Sequence, residues 1–186
     1  MNPILPDQNI AIIAADGFDE HQMTEIQRAL VKATARVKIV APENGIVNGW
    51  QGDIWGHHFH VDSPIHETLG SDFNMLVLPG GTRSIEKLKA NPHTRRILNH
   101  FLDAKKPIAA IGGGVALLAL GDKVTGRTVA ASIEIQDELK KAGIEIGTDE
   151  PEIDGNILTS TGEDLSAWVA ATLEFFADAE LVKRAA

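Results

Sequence analysis

Apolar runs alternating with amphipathic segments predict an α/β chain, with a mostly parallel sheet and helices on both of its faces. Two observations carry that expectation. First, the runs Asn9–Ala15, Val37–Ala41, Phe73–Leu78 and Pro107–Ile111 are nearly continuous in Ile, Val, Leu and Ala. A strand covered on both faces needs that pattern, whereas a half-solvated strand would alternate. Second, each run stops at a turn signal: Asp16-Gly17, Pro42, Pro79-Gly80-Gly81 and Gly112-Gly113-Gly114.

In chain order, Asn9–Ala15 is the first strand and His21–Ala33 a helix, with Met23, Ile26, Leu30 and Ala33 on one stripe. Val37–Ala41 is the second strand. Two short segments, Ile46–Trp50 and His57–Val61, have alternating character and glycine turns between them, and read as a hairpin on an edge. Phe73–Leu78 is the third core strand. Ser84–Ala90 and Pro92–Ala104 are helical, the second opened by Asn91 as N-cap with Pro92 at the first helical position. Pro107–Ile111 is the fourth core strand, followed by three glycines and a helical VALLAL. Ser132 caps a helix through Lys141 that ends at Ala142-Gly143. Asp154-Gly155-Asn156 turns a hairpin within Ile153–Ser160, and Leu165–Ala179 is the closing helix. The result is a flavodoxin-like three-layer α/β/α sandwich with an added edge hairpin, one domain over residues 1–186. No repeat, linker or low-complexity stretch divides it.

At 186 residues the chain buries enough surface to need no staple, and with no cysteine it has none: disulfides, thiolate ligation and thiol redox sensing are excluded together. Three Trp, six Phe and no Tyr leave the core to aliphatic side chains. Seventeen basic against 26 acidic residues give a net charge of −9. A chain that acidic repels phosphate backbones and anionic lipid, so nucleic acid and membrane are not expected partners. The start MNPILPDQN lacks a basic and an apolar signal region, and the expected location is cytoplasmic.

Ligands of open α/β sheets bind beyond the carboxyl ends of the strands, where strand order reverses. Asp16–Gln22, Pro79–Thr82 and Gly112–Gly114 are the segments expected to meet there. The stretch Ala14-Ala15-Asp16-Gly17 is not the G-x-G-x-x-G of a dinucleotide site, so no such cofactor is expected. Glycines at a strand-to-helix turn have two readings, close packing without a ligand or exposed N–H groups at a helix start that favour an anion. Among the histidines, His58 and His60 share a strand face about 7 Å apart and are weak metal candidates, with His57 pointing away and His66 nearby. A solvated edge strand explains them more simply, and no metal is expected. Asp16, Asp19 and Glu20 crowd the mouth, where solvation and the helix N-terminus account for them. Trp50 and Trp55 flank the hairpin, as interface anchors or as cover for the sheet.

The run IAIIAADGFDEHQMTEIQRAL, the strand-turn MLVLPGGT and the block KPIAAIGGGVALLAL, in that order and spacing, resemble the ThiJ/PfpI superfamily. IVNGWQGDIWGHHFHVD, TVAASIEIQDELKKAG and EIDGNILTSTGEDL resemble its further signatures, so the likeness runs from about Ile10 to Phe176. The subgroup it resembles is that of PfpI-type intracellular proteases, amidases and stress proteins. The family carries a cysteine on a tight strand-to-helix turn, usually followed by histidine, in a pattern like A-I-C-H-G-P. Here Gly112 stands at the cysteine position and Gly113 at the histidine position. The family's first-helix glutamate, in a pattern like G-F-E-E-x-E-L, is matched by Gln22.

The resemblance therefore implies a relative without thiol chemistry, because glycine offers no nucleophile and an amide exchanges no proton as a carboxyl does. What it leaves is a cradle formed by Asp19, Gln22, Gly80, Gly81, Gly112, Gly113 and Gly114, in which the Pro-Gly-Gly turn supplies oxyanion-hole N–H groups. Such a cradle suits a small anionic ligand or a protein partner. The resemblance also implies a homodimer or a larger oligomer. Two alternatives stand beside this reading. One is a residual hydrolase using Asp19, Glu20, or a hydroxyl of Ser132 or Thr159; the other is a structural oligomerisation module.

Overall fold

The computed structural model describes residues 4–186. Strands β1 (Asn9–Ile13), β3 (Arg36–Ala41), β6 (Ser63–Pro64), β7 (Met75–Leu78), β8 (Ile108–Ile111), β11 (Glu152–Asp154) and β12 (Ile157–Ser160) form one sheet. Its order is β11-β12-β8-β7-β1-β3-β6, with every neighbouring pair parallel except β11–β12. The strand-order reversal lies between β1 and β7, and the carboxyl ends of β1, β7 and β8 open onto the three glycine-bearing turns.

Side chains of the central strands alternate between two cores, as the two-residue period of a strand requires. Ala11, Ile13, Leu76, Leu78, Ile108, Ala110 and Ile157 face one side. There they meet α2 (Thr82–Ala90), α3 (Pro92–Asp103), the 3-10 helix Gly112–Leu120 and α4 (Ile133–Lys141). Ile10, Ile12, Met75, Val77, Ala109, Ile111 and Leu158 face the other, against α1 (Glu20–Lys32) and α5 (Leu165–Ala185). Trp168 and Phe176 of α5 are fully buried there. Because both faces are covered, the strands carry no alternation of apolar with polar residues.

The helix starts follow local chemistry. Asp19 accepts a hydrogen bond from the Gln22 N–H at 2.9 Å, and Asn91 one from the His93 N–H at 2.9 Å. Ser132 occupies the N-cap position of α4 without a side-chain capping bond. The segment VALLAL coils as 3-10 helix; three successive glycines at its start give an α-helix little to nucleate on. The closing helix runs to Ala185, beyond the expected Ala179.

One element is placed differently from the sequence expectation. β4 (Ile46–Gln51) and β5 (Ile54–His60) do form an antiparallel hairpin, but it is not bonded to an edge of the main sheet. It makes a separate three-stranded sheet with β2 (Phe18–Asp19), which pairs with Gly49 and Trp50. Asp16 fixes it there: its carboxylate accepts the Asn48 N–H at 2.7 Å, while the Gly17 N–H donates to the Asn48 carbonyl at 2.8 Å. The hairpin thus lies over the start of α1. Two further strands, β9 (Thr128–Val129) and β10 (Glu145–Ile146), pair with each other.

Candidate functional site

The first turn of α1 builds one wall. With Asp19 as N-cap and Gln22 three residues on, a capping box would fold the Gln22 side chain back onto the Asp19 N–H. Instead the Asp19 N–H donates to the Gly80 carbonyl at 2.8 Å, and Gln22 Oε1 accepts the Gly80 N–H at 2.8 Å. The helix start and the Pro79-Gly80-Gly81 turn are therefore clasped through both polar groups of Gly80. Gly81 has φ +111°, and a Cβ on it would lie 2.5 Å from the Asp19 nitrogen and the Gly17 carbonyl oxygen. Only glycine closes that contact.

The second wall is the turn after β8. Gly112 has φ +55°, the left-handed region, and a Cβ there would stand 3.2 Å from Gln22 Nε2. A Cβ on Gly113 would meet only Ile85 and the Gly81 nitrogen, at 3.6 and 3.9 Å. Gly114 differs from both: a Cβ on it would overlap the Leu78 carbonyl oxygen, so this glycine is explained by packing. As the first residues of a helix, Gly112 and Gly113 have N–H groups with no intrahelical acceptor. Gln22 Nε2 and the Gly81 N–H also find no acceptor among the described residues. Gln22, Gly81, Gly112 and Gly113 thus bring together hydrogen-bond donors and no charged group. Asp19, the remaining candidate, lies beside them with its carboxylate committed to capping.

Gly162 also belongs to this site and was not among the sequence candidates. With φ +95°, a Cβ on it would lie 3.5 Å from Gln22 Nε2 and 3.6 Å from the Gly112 Cα. Its signal was present: Thr161-Gly162 directly follows β12, the parallel neighbour of β8, at the same carboxyl edge.

The hairpin side of α1 contains a second polar cluster. Glu20 is 6 % exposed, and its carboxylate accepts from the His57 N–H at 2.8 Å and from Gln51 Nε2 at 2.9 Å, with His57 Nδ1 2.5 Å away. Burial pushes its pKa up, but the bonds from His57 and Gln51 outweigh this and hold it below the ordinary glutamate value. Gly49 and Gly56 make the slot, since a Cβ on either would overlap the Glu20 side chain. His57, which the strand pattern turned away from its neighbours, is the histidine that meets the buried carboxylate of Glu20. His58 is bonded to Asn48, and no group of three or more metal-ligating side chains occurs among the described residues. The hydroxyl of Thr159 is buried and accepts the Ala130 N–H at 2.9 Å, a structural use. A cavity of about 420 Å³ on this side is lined by Asp19, Glu20, His21, Thr24, Trp50, Gln51 and Gly52. The glycine turn at Gly112 does not line it.

The DJ-1/PfpI family model matches residues 8–175, nearly the whole chain. The chain belongs to the DJ-1/PfpI family. It is 30% identical over 164 residues to a protein named Deglycase TK1284 from Thermococcus kodakarensis, covering 86% of this chain and 94% of that one. General stress protein 18 of Bacillus subtilis is 27% identical, with 87% of this chain and 93% of that one covered. Among solved structures, a ThiJ/PfpI domain protein from Brachyspira murdochii superposes with a TM-score of 0.83 at 20% identity, over 94% of this chain and 99% of that one. The DJ-1/PfpI flavodoxin-like fold expected from the sequence is the fold observed. No helix among the described residues is long and apolar enough to cross a membrane.

Proposed function

We propose that this protein is a DJ-1/PfpI relative that performs no thiol chemistry and uses its glycine-lined turn to hold a small oxyanion or a partner's carboxylate. The observation that carries the reading is Gly112. It has the positive φ of a tight strand-to-helix turn, sits 3.2 Å (measured to an added Cβ) from the Gln22 amide, and bears no side chain. Gln22 occupies the Gly80 donor and directs its own NH₂ toward the space a nucleophile would take. Donors without a base, acid or nucleophile favour binding over turnover. Names among the relatives, deglycase and general stress protein, support a place in stress physiology. Tested on α-dicarbonyl adducts of amino acids and on peptide amides, purified protein is expected to show no turnover above buffer and no response to iodoacetamide. Iodoacetamide-sensitive turnover in a clean preparation overturns the proposal.

The family and the exposed Trp55 of the hairpin support a homodimer as the minimum assembly. Light scattering at micromolar concentration is expected to give twice the chain mass of 20.0 kDa, and a monomer refutes it. One observation favours a second reading, hydrolysis without a thiol: the His57 ring is 78% exposed while its Nδ1 rests on Glu20, the arrangement of an oriented base. Turnover abolished by His57→Gln would replace the first reading with this one.

A further inference from the structure

At the opposite, amino-terminal end of the sheet lies a cavity of about 360 Å³. Its apolar lining comes from the buried Met75, the half-buried Pro107 and Ala179 and the exposed Ala104 and Val182, and its polar lining is dominated by Lys105, Lys106 and Lys183. In a chain of net charge −9 this is a local excess of positive charge. The one carboxylate in the lining, Glu180, is already paired with Arg184 at 2.7 Å. Lys106 is turned inward: its Nζ donates to the Phe73 carbonyl at 2.8 Å and the Gly70 carbonyl at 3.3 Å, with His100 Nε2 3.1 Å away. Burial, and then the charge of Lys183, pull its pKa below that of an ordinary lysine. Lys105 and Lys183 find no carboxylate among the described residues.

Gln8 supplies a second, independent feature. It lines the same cavity, is only 5 % exposed, and its Oε1 has no hydrogen-bond partner among the described residues, while its Nε2 makes one long bond to the Pro6 carbonyl at 3.4 Å. A buried amide oxygen without a donor is costly and points to a missing partner. A water or a ligand donor can supply it; the excess of lysine charge favours a ligand that also carries an anion.

We propose that this cavity is a binding site for a small organic anion, a carboxylate on an apolar body that also carries a hydroxyl or amino donor. The carboxylate sits between the ammonium groups of Lys105 and Lys183, the apolar body covers Met75 and Pro107, and the donor reaches Gln8 Oε1. The site is far from the Gly112 turn in the fold, being at the other end of the same strands, and stands whether or not that turn binds anything.

The probes are 4-hydroxybenzoate, benzoate, benzyl alcohol and inorganic phosphate, titrated into the full-length protein with backbone amide shifts as the readout. Saturable shifts are expected at residues 8, 74, 105–106 and 180–183 with 4-hydroxybenzoate, and weaker binding with benzoate, which lacks the donor. Benzyl alcohol and phosphate, each missing one half of the pattern, are expected to bind more weakly still. The exposed-site variant Lys105→Glu/Lys183→Glu should weaken 4-hydroxybenzoate about tenfold or more while leaving the remaining spectrum in place. Gln8→Met should remove the advantage of 4-hydroxybenzoate over benzoate. Absence of saturable shifts at these residues overturns the proposal. So does benzyl alcohol binding as tightly as benzoate, or retention of full affinity in the charge-reversed variant.

Discussion

Two groups of glycines flank the first turn of α1, and they do opposite things. On the hairpin side, Gly49 and Gly56 are small because something fills the space: the Glu20 side chain lies where their Cβ atoms would be. On the sheet side, a Cβ on Gly113 would meet nothing closer than 3.6 Å, and one on Gly112 would press only on the end of the Gln22 side chain, at 3.2 Å, which must give by a few tenths of an ångström. The first pair is a mould around a carboxylate. The second is a position with its side chain left out. A glycine in a sequence thus states only that no Cβ is present, and the neighbours decide whether the reason is crowding or vacancy.

The sharpest way to break this contrast is to add a small side chain at three glycines. Gly114→Ala places its Cβ against the Leu78 carbonyl, which is backbone and cannot rotate away. A loss of about 4 kcal/mol or outright failure to fold is expected in urea unfolding. A loss under about 1 kcal/mol would show that the turn shifts freely.

Gly56→Ala comes next, because it meets a side chain that can move. Displacing the Glu20 carboxylate leaves the His57 N–H without its acceptor, a cost of about 1–3 kcal/mol. The same variant carries a pH signature. Glu20 has a folded-state pKa lowered below its unfolded value. Its contribution is therefore complete above the unfolded pKa, near 4.5, and is lost as pH falls through the lower folded pKa. Unfolding curves from pH 6 down to about pH 3 should show a shallower acid decline in Glu20→Gln and in Gly56→Ala than in the parent. Parallel declines would mean that the slot does not hold the ionised carboxylate.

Gly112→Cys is expected to cost no more than Gly56→Ala. The Cβ meets only the movable Gln22 amide, at 3.2 Å, so the main cost is that of a left-handed backbone for a residue with a Cβ, about 1–3 kcal/mol. It should not restore turnover, since Gly113 and Gln22 supply no proton. Adding Gly113→His and Gln22→Glu should lower the thiol pKa, read by pH-dependent alkylation. An unaltered melting temperature for Gly112→Cys, or an ordinary thiol pKa in the triple variant, would remove Gly112 from the family's nucleophile position.

Much of this was legible in the sequence for a physical reason. Strands covered on both faces need unbroken apolar runs, and those runs marked all four central strands together with the turns that end them. Asn91-Pro92 likewise announced its helix start. The meaning of each glycine was not legible, because Gly112 and Gly114 are two residues apart yet differ in what surrounds them. Nor was the pairing of Glu20 with His57, which are brought together by a hairpin whose partner, Phe18–Asp19, is only two residues long. Gly162 escaped notice because its neighbours Gln22 and Gly112 are distant in the chain. The inward-facing Lys106 was hidden by ordinary lysine chemistry until the carbonyls of Gly70 and Phe73 were seen around it.

The first turn of α1 has a mechanical consequence. Within four residues, Asp19 and Gln22 hold the Gly80 turn while Glu20 holds the hairpin at Gln51 and His57. A slide or twist of this helix end cannot stretch one grip without loading the other. The hairpin and the strand-end turn behave as the two arms of a single rocker, with the helix start as its pivot.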